Sequence, residues 1–249
     1  MSEDEKKSVD QGVGQVPPRQ PIFNLPPALL GLCVLLVAIQ AASDFVLNEP
    51  AREVLLGWFA FIPDRAIEPA AFPGGLWPLL WTPFTHAFLH AGWEHVGLNV
   101  VWLAIFGTPI TARYGLRGLL ILFLGGALVG ALAFAATTLP QLQILIGASG
   151  GIAALTGAAV RFIFQPPVVA IDEATGERKL LGRRLATLAE FVRNPTARFF
   201  SLTWIVLNGV VPLVPMFTGS TGFQVAWQAH IGGFLAGLLL VPLLERRPR

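Results

Sequence analysis

Residues 143–157, QILIGASGGIAALTG, place an apolar run behind a serine, Ser149, whose neighbours are Gly147, Ala148, Gly150 and Gly151. Glycine is a poor helix former, so these small residues either let two helices touch or expose a hydroxyl for chemistry. Composition narrows the setting. Of 249 residues 54% are hydrophobic and 13% charged, and the mean hydropathy is +0.64. A soluble domain carries charge on about a quarter of its residues, so this chain is expected to lie largely in lipid. Cys33 has no second cysteine to pair with and reads as a buried, inert thiol. The chain has no basic block interleaved with aromatics, so nucleic acid is not an expected partner.

A bilayer core of about 30 Å takes roughly 20 apolar residues in helical form. Six stretches qualify: about Pro27–Leu47, His86–Phe106, Leu116–Leu139, Gly147 to just before Arg161, Phe199–Phe217 and Val225–Leu244. With the N-terminus inside, the inner segments hold all but two of the 17 lysines and arginines. Only Arg52 and Arg65 fall outside, and the outer connections 140–146 and 218–224 are uncharged. That bias sets both termini in the cytoplasm. Reading the first span as a signal peptide fits less well, because its polar lead and apolar core are both long. The expected fold is all-α: a polytopic membrane protein whose six transmembrane helices form one bundle. Residues 1–24 are expected as a flexible cytosolic tail, 25–245 as the helical domain and 246–249 as a short basic tail. Residues 48–84, rich in tryptophan, are expected to lie in the membrane interface. Within the basic inner loop 165–198, LLGRRLATLAEFVR suggests an amphipathic helix against anionic headgroups.

This topology assigns a depth to each polar group. His86, His90, His95 and Asn99 fall near the outer end of span two, Ser149 in the first turn of span four, and His230 about one and a half turns into span six. Three odd features from distant parts of the chain thus share the outer leaflet. Ser149 shares a helix face with Ala153 and Gly157, and His230 shares one with Gly233 and Gly237. Both faces are stripes of small residues that allow close packing in membranes. Each feature alone has a plainer reading: GASGG as a packing patch, His230 or Asn99 as polar glue between helices, His86 and His90 as wetted interfacial residues. Their coincidence at one depth favours a site.

The set suits acyl transfer. A serine hydroxyl needs a base to take its proton, and histidine is the usual one; Ser149 and His230 supply the pair. Spans four to six carry no Asp or Glu before Glu245, so a dyad is expected. The Ser149 amide, free at a helix start, and the side chains of His95 and Asn99 are candidate donors to an oxyanion. His90, Gly147, Gly150, Gly233 and Gly237 are expected as structural support. Metal hydrolysis fits less well, since no HExxH pattern occurs, and no metal or other cofactor is expected.

HAGWEHVGLN (His90, His95, Asn99), GASG around Ser149 and HIGGFLAG (His230, Gly233, Gly237) together resemble the rhomboid intramembrane serine proteases in their six-span bacterial form. The resemblance covers roughly residues 25–245. It implies a rhomboid-type bundle with Ser149 as nucleophile, His230 as base, and His95, Asn99 and the Ser149 amide around the oxyanion. It also implies an interfacial hairpin loop at 48–84 and a mobile cap at 218–224. The expected partners are the lipid bilayer and single-span membrane proteins cleaved near the outer face. The expected location is a bacterial inner membrane, and the sequence leaves the oligomeric state open. Two departures stand out: the loop has Trp81-Thr82 where the family often has Trp-Arg, and Ala153 stands where it often has a tyrosine against the histidine. An inactive rhomboid-like protein that binds membrane helices is the alternative. A transporter fits less well, because the inner halves of spans two, four and six are nearly free of ionisable groups.

Overall fold

A computed structural model describes residues 25–171, 178–210 and 225–245. The two expected tails, the later part of span five and the expected cap lie outside the described residues. Helix α1 (Pro27–Phe45) opens with proline at its first position, where a missing N–H leaves no bond unmade. Helix α2 (Glu49–Phe59) starts at Asn48, whose side chain accepts from the Ala51 amide at 3.1 Å. Three 3₁₀ turns and the single-turn helix α3 (Thr82–Thr85) complete the outer loop.

The chain is then helical over Trp93–Thr138 (α4), interrupted at Gly115, whose φ of 63° and ψ of −167° are not helical. Glycine takes this conformation without penalty. The chain reverses there. His95, near the start of α4, lies beside Gly147, and Phe134, near its end, packs with Phe61 and Leu145 at the same end of the bundle. One continuous segment thus makes two passes, as the sequence predicts for spans two and three. Span two starts later than expected, because His86–Phe88 forms a 3₁₀ turn and Gly92 is extended before the helix begins at Trp93.

Helix α5 (Ser149–Ile163) is buried on every side from Gly150 to Phe162, which marks it as the axis of the bundle. Strands β1 (Pro167–Ile171) and β2 (Arg178–Arg183) pair antiparallel, adding a small hairpin to the helical fold. The amphipathic helix expected over LLGRRLATLAEFVR is therefore only partly realised. Its first residues belong to β2, and only α6 (Leu188–Arg193) is helical. Thr187 caps α6 in a reciprocal box with Glu190, which stops the helix growing upstream. Arg184 and this cap hold the Glu190 carboxyl down to about 2. Helix α7 (Pro195–Ile205) runs into a π-helical turn, Val206–Val210, and α8 (Trp227–Leu240) closes the bundle.

Among the described residues three segments, Pro27–Phe45, Trp93–Thr138 and Trp227–Leu244, are long and apolar enough to cross a membrane. Val34, Leu98, Trp102, Leu132, Phe199 and Leu239 are exposed around the outside. Such a belt is untenable in water and ordinary in lipid.

Glycines set the spacing inside. A Cβ on Gly233 would overlap the Gly150 carbonyl, one on Gly237 the Ala154 carbonyl, and one on Gly157 the Phe234 carbonyl. Helices α5 and α8 therefore meet backbone to backbone along the two stripes read from the sequence. A stripe on α4 was not foreseen: Gly126 sits against Ala154, and Gly130 against Ala229. At the end of α5 away from Ser149 the buried Arg161 side chain donates to the carbonyls of Ala186 and Leu238, which ties α5 to α8. Gly237→Ala is expected to lower stability by about 1–3 kcal/mol. Gly31→Ala, whose Cβ would meet nothing within 4 Å, should cost nothing. Thermal unfolding of both variants in detergent checks this.

Candidate active site

Helices α5 and α8 begin at the same end of the bundle. Ser149 is the first residue of α5, and His230 ends the first turn of α8, which starts at Trp227. The later start leaves His230 shallower in its helix than the sequence suggested. Their chain neighbours touch: a Cβ on Gly150 would lie 3.5 Å from the Ala229 carbonyl oxygen. Among the described residues no hydrogen bond joins Ser149 to His230, and none reaches the buried His230 Nδ1. The backbone of Asn208, in the π-helical turn, faces the His230 ring.

His95 and Ser149 flank Gly147. A Cβ on Gly147 would sit 2.8 Å from His95 Nε2 and 3.8 Å from Ser149 Oγ. Gly147 has a φ of 119°, a backbone that side-chain-bearing residues avoid. The glycine thus serves twice: it permits the turn into α5 and leaves room for the His95 ring. His90 stands 5.1 Å from the His95 ring in an edge-on arrangement, and its Nε2 accepts from the Ala148 amide at 3.4 Å. Asn99 is buried on the next turn of α4 and donates Nδ2–H to the His95 carbonyl at 2.9 Å. An amide nitrogen has two hydrogens, so one donor remains for another acceptor. The structure therefore gathers Ser149, His90, His95, Gly147 and Gly150 closely, with His230 and Gly233 across the α5–α8 seam. Gly237 lies two turns deeper and works through packing alone.

Sequence reasoning missed three contributors. His86 is buried: its Nδ1 bonds the Thr82 carbonyl at 3.0 Å, and its own carbonyl accepts from the Gly147 amide at 2.9 Å. It is a strut rather than a wetted residue. Arg65 is fully buried and donates to the carbonyls of Gly57, Pro73 and Gly75. One signal for it was present, since an arginine that departs from the charge bias needs a reason. Phe61 and Leu145 exchange backbone hydrogen bonds at 3.1 and 2.9 Å, so the outer loop grips the segment that leads into Ser149. In that loop Trp81 stacks on Trp58 and donates Nε1–H to the Trp58 carbonyl, while Thr82 is buried beside it.

A bundle threaded on a serine-led central helix, with histidines from two other helices at the same end as that serine, defines a class of intramembrane protein with known relatives. The Rhomboid domain family model matches residues 78–174 and 179–247. Rhomboid-related protein 3 of Homo sapiens is 34% identical over 223 residues, covering 88% of this chain and 47% of its own length. RHOMBOID-like protein 5 of Arabidopsis thaliana is 26% identical over 263 residues, covering 95% of this chain and 75% of its own. Rhomboid protease GlpG of Pectobacterium atrosepticum is 25% identical over 212 residues, covering 84% and 62%. This chain belongs to the rhomboid family and is an integral membrane protein of helical, rhomboid-type fold. It spans about half the length of the human relative.

Gly147→Ala is expected to destabilise by about 1–2 kcal/mol from its φ alone, and further by pushing the His95 ring aside. Gly75→Ala shares a positive φ of 57° but has nothing within 4 Å of its Cβ, so it isolates the backbone cost. Thermal unfolding in detergent should rank Gly147→Ala as the more damaging.

Proposed function

We propose that the chain is an intramembrane serine endopeptidase that cleaves single-span membrane proteins near the outer face of the membrane. Its protease domain is residues 25–245. In this reading Ser149 Oγ attacks the scissile carbonyl while His230 takes the hydroxyl proton. The tetrahedral oxyanion receives hydrogen bonds from the Ser149 amide, His95 and the remaining Asn99 donor. Collapse breaks the C–N bond, and His230 gives its proton to the leaving amine. Water, deprotonated by the same ring, then releases the acyl group and restores Ser149. No cofactor enters. The chain lies with both termini in the cytoplasm, as the arginine and lysine bias argues, in a bacterial inner membrane.

The observation that carries the reading is the backbone contact between α5 and α8, with Gly150 against Ala229 and Gly233 against Gly150. It sets the serine and histidine turns side by side while His95 enters from α4. The open Ser149–His230 pair is compatible with this role, because catalytic hydrogen bonds in substrate-free enzymes are often long and tighten on binding. Helix length supports the depth. At about 1.5 Å per residue the 15 residues of α5 fall short of a bilayer core, which supports a Ser149 recessed below the membrane surface. The name of the Pectobacterium relative, a rhomboid protease, points the same way.

Treating the purified protein with a fluorescent fluorophosphonate should label Ser149. Ser149→Ala should abolish the adduct, and His230→Ala should lower its rate about a hundredfold or more. Asn99→Ala should slow turnover of a co-expressed single-span substrate about tenfold or more without lowering the thermal midpoint. A wild-type protein that is folded yet unlabelled and inert toward substrates would instead indicate a rhomboid-like protein that binds membrane helices without cutting them.

A further inference from the structure

The end of the bundle opposite Ser149 holds a second concave site. A cavity of about 1380 Å³ opens there between the Gly115 turn, the β-hairpin and the 3₁₀ turn Val241–Leu244 that follows α8. Its lining is of two kinds. Arg113, Arg117, Arg183 and Arg184 supply four guanidinium groups, against a single carboxylate, Glu245, among the described lining residues. Glu245 is occupied within the wall: it accepts from Arg113 at 2.8 Å and from the Tyr114 hydroxyl at 2.5 Å. Arg184 is held by Glu190 at 2.7 Å, and Arg183 by the Gln165 carbonyl. These bonds hold three guanidiniums in position without using all five N–H donors of each. Arg117 is exposed and has no ion-pair or hydrogen-bond partner among the described residues.

The other lining is apolar: Ile121, Val168, Leu181, Leu243 and Leu244. Leu181 is 67% exposed and Leu243 78% exposed. A two-stranded hairpin is marginal in water even with a polar surface, and this one presents Val168, Ile171 and Leu181 outward. A small free anion would satisfy the arginines and leave the leucines wet. An anionic phospholipid satisfies both, with its phosphodiester matching the planar guanidinium fork and its acyl chains covering the apolar wall. Arg113 and Arg117 flank the Gly115 turn at helix ends, where headgroups lie, Arg183 and Arg184 close the adjoining hairpin, and basic pockets between transmembrane helices are a recurrent form of lipid site.

We propose that this cavity binds an anionic phospholipid, its phosphate on Arg117, Arg183 and Arg184 and an acyl chain along Ile121 and Leu243. The test is native mass spectrometry of the full chain in a neutral detergent. The probes are dioleoylphosphatidylglycerol, dioleoylphosphatidylcholine and inorganic phosphate. One phosphatidylglycerol should be retained under activation that strips phosphatidylcholine. Arg117→Gln should weaken its retention about tenfold, the loss of one charge-assisted contact, and Leu243→Asp should weaken it as well. Arg52→Gln, at the opposite end of the bundle, should leave it unchanged. Equal retention of the two lipids, insensitivity to Arg117→Gln, or displacement of phosphatidylglycerol by an equal concentration of inorganic phosphate would overturn the proposal. Serine labelling is read separately, so failure here leaves the protease reading standing, and the reverse also holds.

Discussion

Two helices in lipid gain nothing from hiding apolar surface from each other, because the lipid is equally apolar; they associate through close packing and polar contacts. Along α5 and α8 that packing is carried to its limit. Gly157, Gly233 and Gly237 each face a backbone carbonyl of the opposite helix with no room for a Cβ, and Gly126 and Gly130 bring α4 close to both helices. Helix α5 is enclosed as a result. Ser149 and His230 occupy the first turns of two helices locked in register, and a larger residue at any of these contacts would shift that register as well as cost stability. At the far end of α5, Arg161 holds the same seam through the carbonyls of Ala186 and Leu238. The helix is thus fixed by glycine contacts along its length and by a buried cation at its base.

The outer loop fixes what the helices leave free. The segment before Ser149 has no helical bonds of its own, and its backbone groups find partners elsewhere: Leu145 on Phe61, the Gly147 amide on His86, and the Ala148 amide on His90. The loop is itself held by Arg65, whose guanidinium gathers three of its carbonyls. Arg52 is held in turn by the Asp44 carboxylate at 3.4 Å and by the Ser43 and Asp44 carbonyls. The two arginines that depart from the charge bias are therefore used as internal fastenings. Buried backbone carbonyls require donors, and arginine supplies several from one side chain.

Position 153, where the family resemblance suggests a tyrosine, is an alanine. Ala153 belongs to the seam: a Cβ on Gly233 would lie 3.2 Å from the Ala153 Cβ. One turn below the histidine Phe234 stacks on Trp204 with ring centres 4.7 Å apart. The π-helical turn after α7 presents the Asn208 backbone to the imidazole, and the Asn208 side chain is bound to the Trp204 carbonyl at 3.0 Å. Such turns widen a helix locally and recur at functional sites. Here the turn brings α7 against α8 at the level of His230.

Hydropathy alone places the long spans, because about twenty apolar residues in lipid have no alternative to a helix that satisfies its own backbone. The small-residue periodicity of Gly157, Gly233 and Gly237 gives the face on which α5 and α8 meet, since side chains three and four apart share a helix face. The position of Ser149 at a helix start, and of His95 and Asn99 on one face of α4, was legible for the same reason. Contacts between residues far apart in the chain were not. His86 reads as a wet histidine until the Gly147 amide is brought to its carbonyl. LLGRR reads as helix until Pro167–Ile171 offers it a strand partner, and Arg161 reads as a loop cation until Leu238 arrives beside it. Local sequence sets each segment's conformation and face, whereas the partners of buried carbonyls and guanidiniums exist only once the helices have packed.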